Sequence, residues 1–269
     1  MPARIIAVCN QKGGVGKTTL VTGLAEVFSR DLGLRVLVID ADPQANATKA
    51  MGIYNPEFTL NDVLSGDQDQ NFKIIPGVAA DAVIPAGEAW QGDFPELSLI
   101  ASERNLASRE LDSMMARERR LHTSLRGVVD DYDVVLIDCP PSLGLLTVNV
   151  LTAATHVLLV SEARVSSVEG LTQIVTTVAE VQENLNEDLD IIGIAINKVR
   201  KGRVDQEFWV SKMREDYGDL VLEPALADRE ILAKSQAAAK PIMSYGRSAT
   251  MPLKSLNRLA KAVWEGAAS

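Results

Sequence analysis

Short apolar runs alternate with longer amphipathic segments along the chain. The runs, rich in Val, Ile and Leu at successive positions, cover residues 4–9, 35–40, 97–100, 133–138, 156–161 and 191–197. Runs of this kind are typical of strands in a parallel sheet that helices cover on both faces. Between them, apolar residues recur at helical spacing, as at Leu20, Leu24, Val27 and Phe28, and at Ile174, Val178, Val181 and Leu185. The alternation predicts an α/β fold: a doubly wound, mostly parallel sheet flanked by helices.

Segment 66–95 interrupts this pattern, because Gly, Pro and Asp are scattered through it. We expect irregular surface structure there, with room for one short strand. No other stretch has the composition of a linker between domains. The sequence therefore predicts a single domain over residues 1–269.

Composition narrows the class of protein. With 46% hydrophobic and 23% charged residues among 269, the chain falls in the globular range and outside the disordered and fibrous classes. Two cysteines, Cys9 and Cys139, and two histidines are too few for a disulfide framework or a His/Cys metal cluster. The first apolar run is too short for a signal peptide, and no run of about 18 apolar residues could span a membrane. These features predict a cytoplasmic protein.

Charge is unevenly distributed along the chain. The net charge is −9, with −13 over residues 1–194 and +4 over residues 195–269. An acidic whole argues against a protein that coats nucleic acid on every side. The basic last quarter leaves room for one nucleic-acid face, although an ordinary solvated surface explains the asymmetry as well.

A glycine-rich loop with two lysines follows the first predicted strand and precedes a helix, which is the setting of a P-loop. Backbone N–H groups of such a loop and the helix N-terminus bind phosphate oxygens. Lys17 is predicted to contact the β- and γ-phosphates, the Thr18 hydroxyl to bind Mg²⁺, and Thr19 to contact the α-phosphate. The other predicted nucleotide-binding positions are Gly13, Gly14, Val15 and Gly16. A purely structural glycine-rich turn is the alternative.

The loop departs from the strict pattern G-x-x-x-x-G-K-[ST], because residue 11 is Gln instead of Gly. An additional lysine, Lys12, stands at the loop entrance. Lys17 already neutralises the phosphates from inside the loop, so a second cation there has no evident structural purpose. A lysine at the mouth of the loop could instead reach a nucleotide held by another chain.

Two carboxylates, Asp40 and Asp42, follow the second predicted strand, at the edge of the sheet where ligands gather in open α/β folds. One could hold a magnesium-bound water while the other positions the attacking water. An acidic turn stopped by Pro43 is the alternative interpretation.

Asp138 follows four apolar residues, as the acid of a Walker B strand does. Such an aspartate typically binds Mg²⁺ directly or through water. Cys139, Pro140 and Pro141 would then form a switch that senses the γ-phosphate.

Taken together, the three motifs resemble those of the ParA/MinD ATPases. Residues 12–18 resemble the deviant Walker A box, 40–46 the Walker A′ box of the ParA branch, and 138–142 its Walker B box. The resemblance implies an ATPase with ATP and Mg²⁺ as cofactors, which forms a homodimer around two ATP molecules and hydrolyses ATP slowly until a partner stimulates it.

The resemblance also implies roles for individual residues. Lys12 would be the signature lysine that reaches the nucleotide of the partner subunit, and Asp42 the carboxylate that orients the hydrolytic water. Asp40 then joins Thr18 and Asp138 as a predicted metal ligand. Asn197, at the end of a predicted strand, falls where the family often contacts adenine.

ParA-like proteins bind double-stranded DNA without sequence preference in their ATP state and respond to a ParB-like adaptor. The resemblance therefore implies association with the nucleoid and segregation of plasmid or chromosomal DNA. We place the DNA contacts on basic residues of the last quarter: Lys198, Arg200, Lys201, Arg203, Arg229 and Lys234. No aromatic residue lies among them, so contacts to phosphates are expected instead of base stacking. A solvated loop is the alternative.

Some family features are missing from the sequence. The first strand begins at about residue 4, so we expect no N-terminal helix-turn-helix domain. The family often has Pro-Arg after its penultimate strand, whereas this chain has Pro224 and Ala225.

Three other functions compete with DNA partition. The same ATPase could position a protein cargo such as a carboxysome. A MinD-like protein would use an amphipathic helix over 252–265 to bind a membrane, although that helix is also expected to pack on the sheet. A reductase resembling the nitrogenase iron protein would need exposed cysteines, and both Cys9 and Cys139 are expected to be buried.

Overall fold

The computed structural model describes residues 2–66, 73–92 and 96–267, except for the side chains of 166–169. An eight-stranded sheet runs through this part of the chain. The strands are β1 (Arg4–Cys9), β2 (Val36–Asp40), β3 (Val83–Pro85), β4 (Leu97–Ile100), β5 (Val134–Asp138), β6 (His156–Glu162), β7 (Asp190–Asn197) and β8 (Val221–Leu222). Their order is β3-β4-β2-β5-β1-β6-β7-β8, and each adjacent pair is parallel except β3 with β4.

Helices connect the strands and cover both faces of the sheet. They are α1 (Lys17–Arg30), α2 (Asn46–Ala50), α3 (Leu60–Ser65), α4 (Arg120–Leu125), α5 (Leu145–Ala153), α6 (Val165–Asn184), α7 (Val204–Tyr217), α8 (Glu230–Ala237) and α9 (Thr250–Gly266). Short 3₁₀ segments lie between several of them. This confirms the predicted doubly wound, mostly parallel sheet flanked by helices.

Successive residues of the central strands belong to two separate hydrophobic clusters. Ile6 and Val8 of β1 pack in the cluster that includes α1 and α9, whereas Ala7 and Cys9 pack in the cluster on the other face. Because side chains alternate along a strand, a sheet covered on both faces needs apolar residues at every position. This explains the unbroken apolar runs in the sequence.

The strand register brings the three predicted motifs to one edge of the sheet. Val8 pairs with Asp138, and Asp40 pairs with Asp138, so β1, β5 and β2 end side by side. The P-loop, the Walker B turn and the acidic turn after β2 therefore emerge next to one another.

The predicted strands all form, with ends that differ by one residue at most. Segment 66–95 does contain one short strand, β3, although residues 67–72 and 93–95 lie outside the described residues. The sequence did not reveal β8, because its two residues are too few to produce a pattern.

The last helix, α9, packs inward. Leu256, Leu259, Ala260 and Val263 are buried in the cluster that also contains α1. The apolar side that a membrane-binding helix would expose is therefore part of the core. Within the described ranges, every helix is too short or too polar to traverse a bilayer.

Candidate active site

The loop between β1 and α1 has the backbone conformation of a phosphate-binding loop. Gly14 and Gly16 adopt left-handed conformations with φ of +80° and +95°. A Cβ atom on Gly16 would lie 2.2 Å from Nδ2 of Asn197, so a larger residue would have to displace a buried amide. Helix α1 begins at Lys17 and directs its first N–H groups at the loop.

Lys17 is the buried cation of the loop. Its side chain is only 6% exposed, and its ammonium donates to the Asn10 carbonyl at 3.2 Å. Asn10 in turn donates from Nδ2 to the Val160 carbonyl at 2.5 Å and accepts the Lys12 N–H at 2.7 Å. Asn10 thus ties the start of the loop to β6 and fixes the place from which Lys17 meets a phosphate.

Thr18 and Asp138 form the pair that fits a magnesium ion. The Thr18 hydroxyl donates to Asp138 Oδ2 at 2.7 Å, whereas Asp138 Oδ1 is buried without a hydrogen-bond partner. Burial and the neighbouring Asp40 raise the pKa of Asp138 well above its usual range, which a divalent cation would reverse. An unpartnered carboxylate oxygen beside a hydroxyl at the P-loop is what Mg²⁺ requires from the protein when phosphates and water supply its other ligands.

The described residues contain no group of three or more His, Cys, Asp or Glu side chains suited to a metal ion. A magnesium site that relies on one hydroxyl and one carboxylate is compatible with that finding, because Mg²⁺ in nucleotide sites takes few protein ligands.

Asp40 supports the acidic turn. Its buried carboxylate accepts the Thr48 N–H at 2.8 Å, the Thr48 hydroxyl at 2.7 Å and the Asp42 N–H at 3.2 Å. Burial nevertheless raises the pKa of Asp40 to about 6. The carboxylate thus holds the turn against the start of α2, and its role as a metal ligand stays a prediction.

Asp42 lines the cavity at the P-loop. Its carboxylate accepts the Gln44 N–H at 2.9 Å, and its carbonyl accepts the Ser102 hydroxyl at 2.7 Å. The Ser102 N–H donates to the Thr48 hydroxyl oxygen at 2.8 Å, which links the residues after β4 to the turn after β2. Sequence reasoning missed Ser102, because only the pairing of β2 with β4 brings it there.

The cavity has a volume of about 970 Å³, near the upper end for small-molecule sites. Its lining includes Gly13, Gly14, Gly16, Lys17, Thr18 and Asp42, and also Tyr54, Glu103 and Arg104. Five of the seven predicted P-loop contacts and Asp42 therefore share one open space, next to Pro141 of the Walker B turn.

Thr19 and Asn197 occupy the sides of the loop. The Thr19 hydroxyl donates to Gln236 Oε1 at 2.9 Å, and Gln236, from α8, also lines the cavity. The buried Asn197 donates from Nδ2 to the carbonyl of Val15 at 3.0 Å. Asn197 thus lies against the P-loop, while its predicted contact with adenine stays a prediction. No sequence signal pointed to Gln236.

Lys12 lies at the loop entrance and is half-buried. Its backbone is fixed by the Asn10 side chain at 2.7 Å, and the neighbouring Gly13 and Gly14 are exposed. The position suits a side chain that acts outside its own loop. The action of Lys12 on a second subunit stays a prediction.

Some of the residues predicted to contact DNA lie close together. A bridge between Val199 and Ala227 holds the loop after β7 beside the residues before α8, and Arg200 pairs with Asp228 at 2.7 Å across them. Arg203 pairs with Asp205 at 3.0 Å, and Lys234 with Glu230 at 3.0 Å. Lys201 and Arg229 are exposed and have no ion pair among the described residues. Lys198 alone turns towards the P-loop.

Both cysteines are buried, as expected. Cys9 and Cys139 are each 1% exposed, with their Sγ atoms 2.6 Å apart, and burial raises the pKa of the Cys139 thiol well above its usual range. They are therefore not the exposed ligands that a shared iron–sulfur cluster would need.

This fold and this site define a P-loop nucleotide-binding protein of the ATPase class, and comparison with known proteins is consistent with that. A family model described as an AAA domain (AAA_31) matches residues 3–191. The sporulation initiation inhibitor protein Soj of Bacillus subtilis is 35% identical over 247 residues, 90% of this chain and 91% of Soj. The chromosome partitioning protein ParA of Caulobacter vibrioides is 33% identical over 91% of this chain and 88% of that protein. The chain belongs to the AAA_31 family, in its group of ParA- and Soj-like proteins.

Solved structures share the fold. A Mycobacterium smegmatis protein described as cobyrinic acid a,c-diamide synthase, with bound ADP and magnesium, is 30% identical over 88% of this chain and 92% of that chain, with a TM-score of 0.73. A Cyanothece McdA variant in complex with ATP has a TM-score of 0.80 over 98% of this chain and 96% of that chain, at 22% identity.

Proposed function

We propose that this protein is a partition ATPase that hydrolyses ATP to ADP and phosphate and uses the cycle to segregate plasmid or chromosomal DNA. In the ATP state it forms a homodimer around two nucleotides and binds double-stranded DNA without sequence preference. A ParB-like adaptor stimulates the slow hydrolysis. A relative named as a chromosome partitioning protein, 33% identical over 91% of this chain, supports this proposal.

One observation carries the ATPase part of the proposal: Asp138 Oδ1 is buried and unpartnered beside Thr18, at the mouth of a P-loop. Thr18 and Asp138 would hold Mg²⁺, which would neutralise charge on the β- and γ-phosphates. Lys17 adds a fixed positive charge from inside the loop. These groups bind the phosphates and stabilise the charge that develops on them during transfer.

Asp42 supplies the water-positioning group. Its carboxylate is in the cavity wall, and three backbone and hydroxyl contacts fix the turn that carries it. A carboxylate held in this way orients a water molecule towards the terminal phosphate. We infer that the adaptor raises the rate by stabilising the geometry in which this water and the phosphate are aligned.

Lys12 would make dimer formation depend on bound nucleotide. Lys12 lies at the entrance of the P-loop, whereas Lys17 is already placed inside the loop to neutralise the phosphates of the nucleotide bound there. In a face-to-face dimer, each Lys12 would neutralise phosphate charge in the opposite subunit. ATP would then be part of the interface, and its hydrolysis would weaken the dimer.

A protein assembly is a second candidate for the cargo. A protein assembly of the carboxysome type is the alternative cargo, because the same ATPase cycle and nucleotide site would serve either kind of cargo. A MinD-like membrane attachment has less support, because the apolar side of α9 is buried against the core.

Light scattering after size-exclusion chromatography tests the proposal. With ATP and Mg²⁺ the wild-type protein is expected to become a dimer. Lys17→Ala is expected to lose ATP binding and stay monomeric, because the phosphates lose their buried cation. Lys12→Ala is expected to bind ATP in a nucleotide titration and still stay monomeric.

The exposed Lys254 of α9 provides a control, since Lys254→Ala changes the charge equally and should dimerise. A Lys12→Ala protein that dimerises and hydrolyses ATP normally would refute the action of Lys12 across the interface.

A further inference from the structure

Lys198 differs from the other basic residues after β7 in both backbone and contacts. It has a left-handed backbone, with φ of +57°, which residues other than glycine, asparagine and aspartate seldom adopt. The conformation turns its side chain away from the loop that follows. Its ammonium donates to the carbonyl of Gly14 in the P-loop.

Glu162 is the second partner of that ammonium. It is the last residue of β6 and pairs in register with Asn197, so its carboxylate lies beside the end of β7. Glu162 is buried and forms ion pairs with Lys198 and Arg164, each at 3.3 Å. A buried carboxylate and a carbonyl therefore hold Lys198, and both contacts would have to break before it could reach a DNA phosphate.

Gln206 joins the same residue to the basic loop. Its side chain, 3% exposed, accepts the Arg200 N–H at 2.7 Å and donates to the Lys198 carbonyl at 3.4 Å. The first turn of α7 is thereby fixed to both ends of segment 198–200. A displacement of Lys198 from the P-loop would be passed directly to the loop that carries Arg200, Lys201 and Arg203.

We propose that Lys198 is a positioning residue of the nucleotide site instead of a DNA contact. Together with Glu162 it holds the Gly14 carbonyl, and so keeps the P-loop in the conformation that accepts phosphates. Because it is also the first residue of the basic loop, it couples the state of the P-loop to that loop. The nucleotide part stands without the proposed function, whereas the coupling rests on it.

Nucleotide affinity without DNA is the first test. Lys198→Met keeps the length of the side chain and removes the charge, and its affinity for a fluorescent ATP analogue with Mg²⁺ is expected to fall about tenfold or more. Lys198→Arg, which keeps a cation near Gly14, is expected to recover part of the loss. Lys254→Met on the surface of α9 is the matched control and should bind as the wild type does.

Thermal unfolding without nucleotide separates positioning from general destabilisation. The melting temperature of Lys198→Met is expected to stay within about 3 °C of the wild type, since Glu162 keeps its ion pair with Arg164. A loss of affinity that appears only together with a much lower melting temperature would assign Lys198 a structural role and overturn the proposal.

Glu162→Gln tests whether Glu162 acts together with Lys198. It is expected to lower nucleotide affinity in the same direction, and the double variant Lys198→Met/Glu162→Gln should lose less than the product of the two single effects, because they remove the same interaction. Fully multiplicative effects would show that the two residues act separately and would contradict the pair.

Salt dependence of DNA binding is the second test, at saturating ATP. Lys198→Met is expected to leave the slope of log affinity against log salt unchanged, whereas Lys201→Met should reduce it. A normal nucleotide affinity together with a reduced slope would make Lys198 a phosphate contact and refute the proposal. Absence of DNA binding by the wild type in every nucleotide state would refute the proposed function and leave the nucleotide result standing.

Discussion

Three aspartates near the P-loop differ in their surroundings, and this difference suits each of them to a different role. Asp40 is saturated by three donors, Asp138 keeps one oxygen without a partner, and Asp42 lines the cavity. A carboxylate whose oxygens are all engaged is suited to support, one with an unpartnered buried oxygen is suited to a cation, and one that lines the cavity can meet water. What each of these aspartates can do therefore depends on its hydrogen-bond partners, because the residue type is the same at all three positions.

Asp42→Ala is expected to bind ATP and Mg²⁺ and to form the dimer, but to hydrolyse ATP at least about 100-fold more slowly, because loss of a water-positioning group typically costs that much. The rate of hydrolysis is measured as phosphate release, with ATP in excess over the protein and with ATP below the protein concentration. Light scattering should show a dimer that persists. Asp188→Ala, at an exposed acid in the turn between α6 and β7, is the control. Unchanged hydrolysis in Asp42→Ala would move the water-positioning role to another residue.

At the scale of elements, the site depends on helices that are distant in sequence. The buried Glu26 of α1 accepts the N–H groups of Ile242 and Met243 at 2.7 and 2.8 Å, at the start of the segment between α8 and α9. Burial raises the pKa of Glu26. Because α8 carries Gln236, which contacts Thr19, Glu26 helps to keep this side of the cavity in place.

Glu26→Ala is expected to lower the free energy of unfolding by about 2 to 4 kcal/mol, since two buried backbone N–H groups lose their acceptor. Chemical denaturation measures the change. Glu180→Ala, on the exposed side of α6, should change the stability by less than about 0.5 kcal/mol. A Glu26→Ala protein as stable as this control would show that water or another group replaces the carboxylate.

The sequence predicted the elements better than it predicted their contacts. Apolar runs identify central strands because both faces of the sheet are covered, and the three motifs are continuous, so Lys17, Thr18 and Asp138 could be found by inspection. Ser102, Glu162 and Gln236 come from other parts of the chain, and only strand register and helix placement bring them to the loop. The orientation of Lys198 was missed for the same reason, because a left-handed backbone at a lysine leaves no mark in the sequence.

At the scale of the whole molecule, the net charge of −9 opposes binding to DNA, and the basic residues near the end of β7 are few. Arg200 and Arg203 are engaged with Asp228 and Asp205, so these ion pairs would have to open before either arginine could contact a DNA phosphate. The proposed dimer would place two such loops on one duplex and would raise the affinity without a new kind of contact. DNA binding would therefore report the nucleotide state.

Mobility shifts with two unrelated duplexes, in ATP and in ADP and at two salt concentrations, measure whether DNA binding depends on the nucleotide. We expect binding to both duplexes in ATP, much weaker binding in ADP, and a steep loss of affinity with salt. The triple variant Arg200→Ala/Lys201→Ala/Arg203→Ala should bind weakly in ATP, whereas Lys254→Ala/Arg258→Ala/Lys261→Ala on the exposed side of α9 should bind as the wild type does. Equal binding in ATP and ADP would show that the nucleotide does not control DNA binding, and full binding by the first triple variant would show that these three residues do not contact DNA.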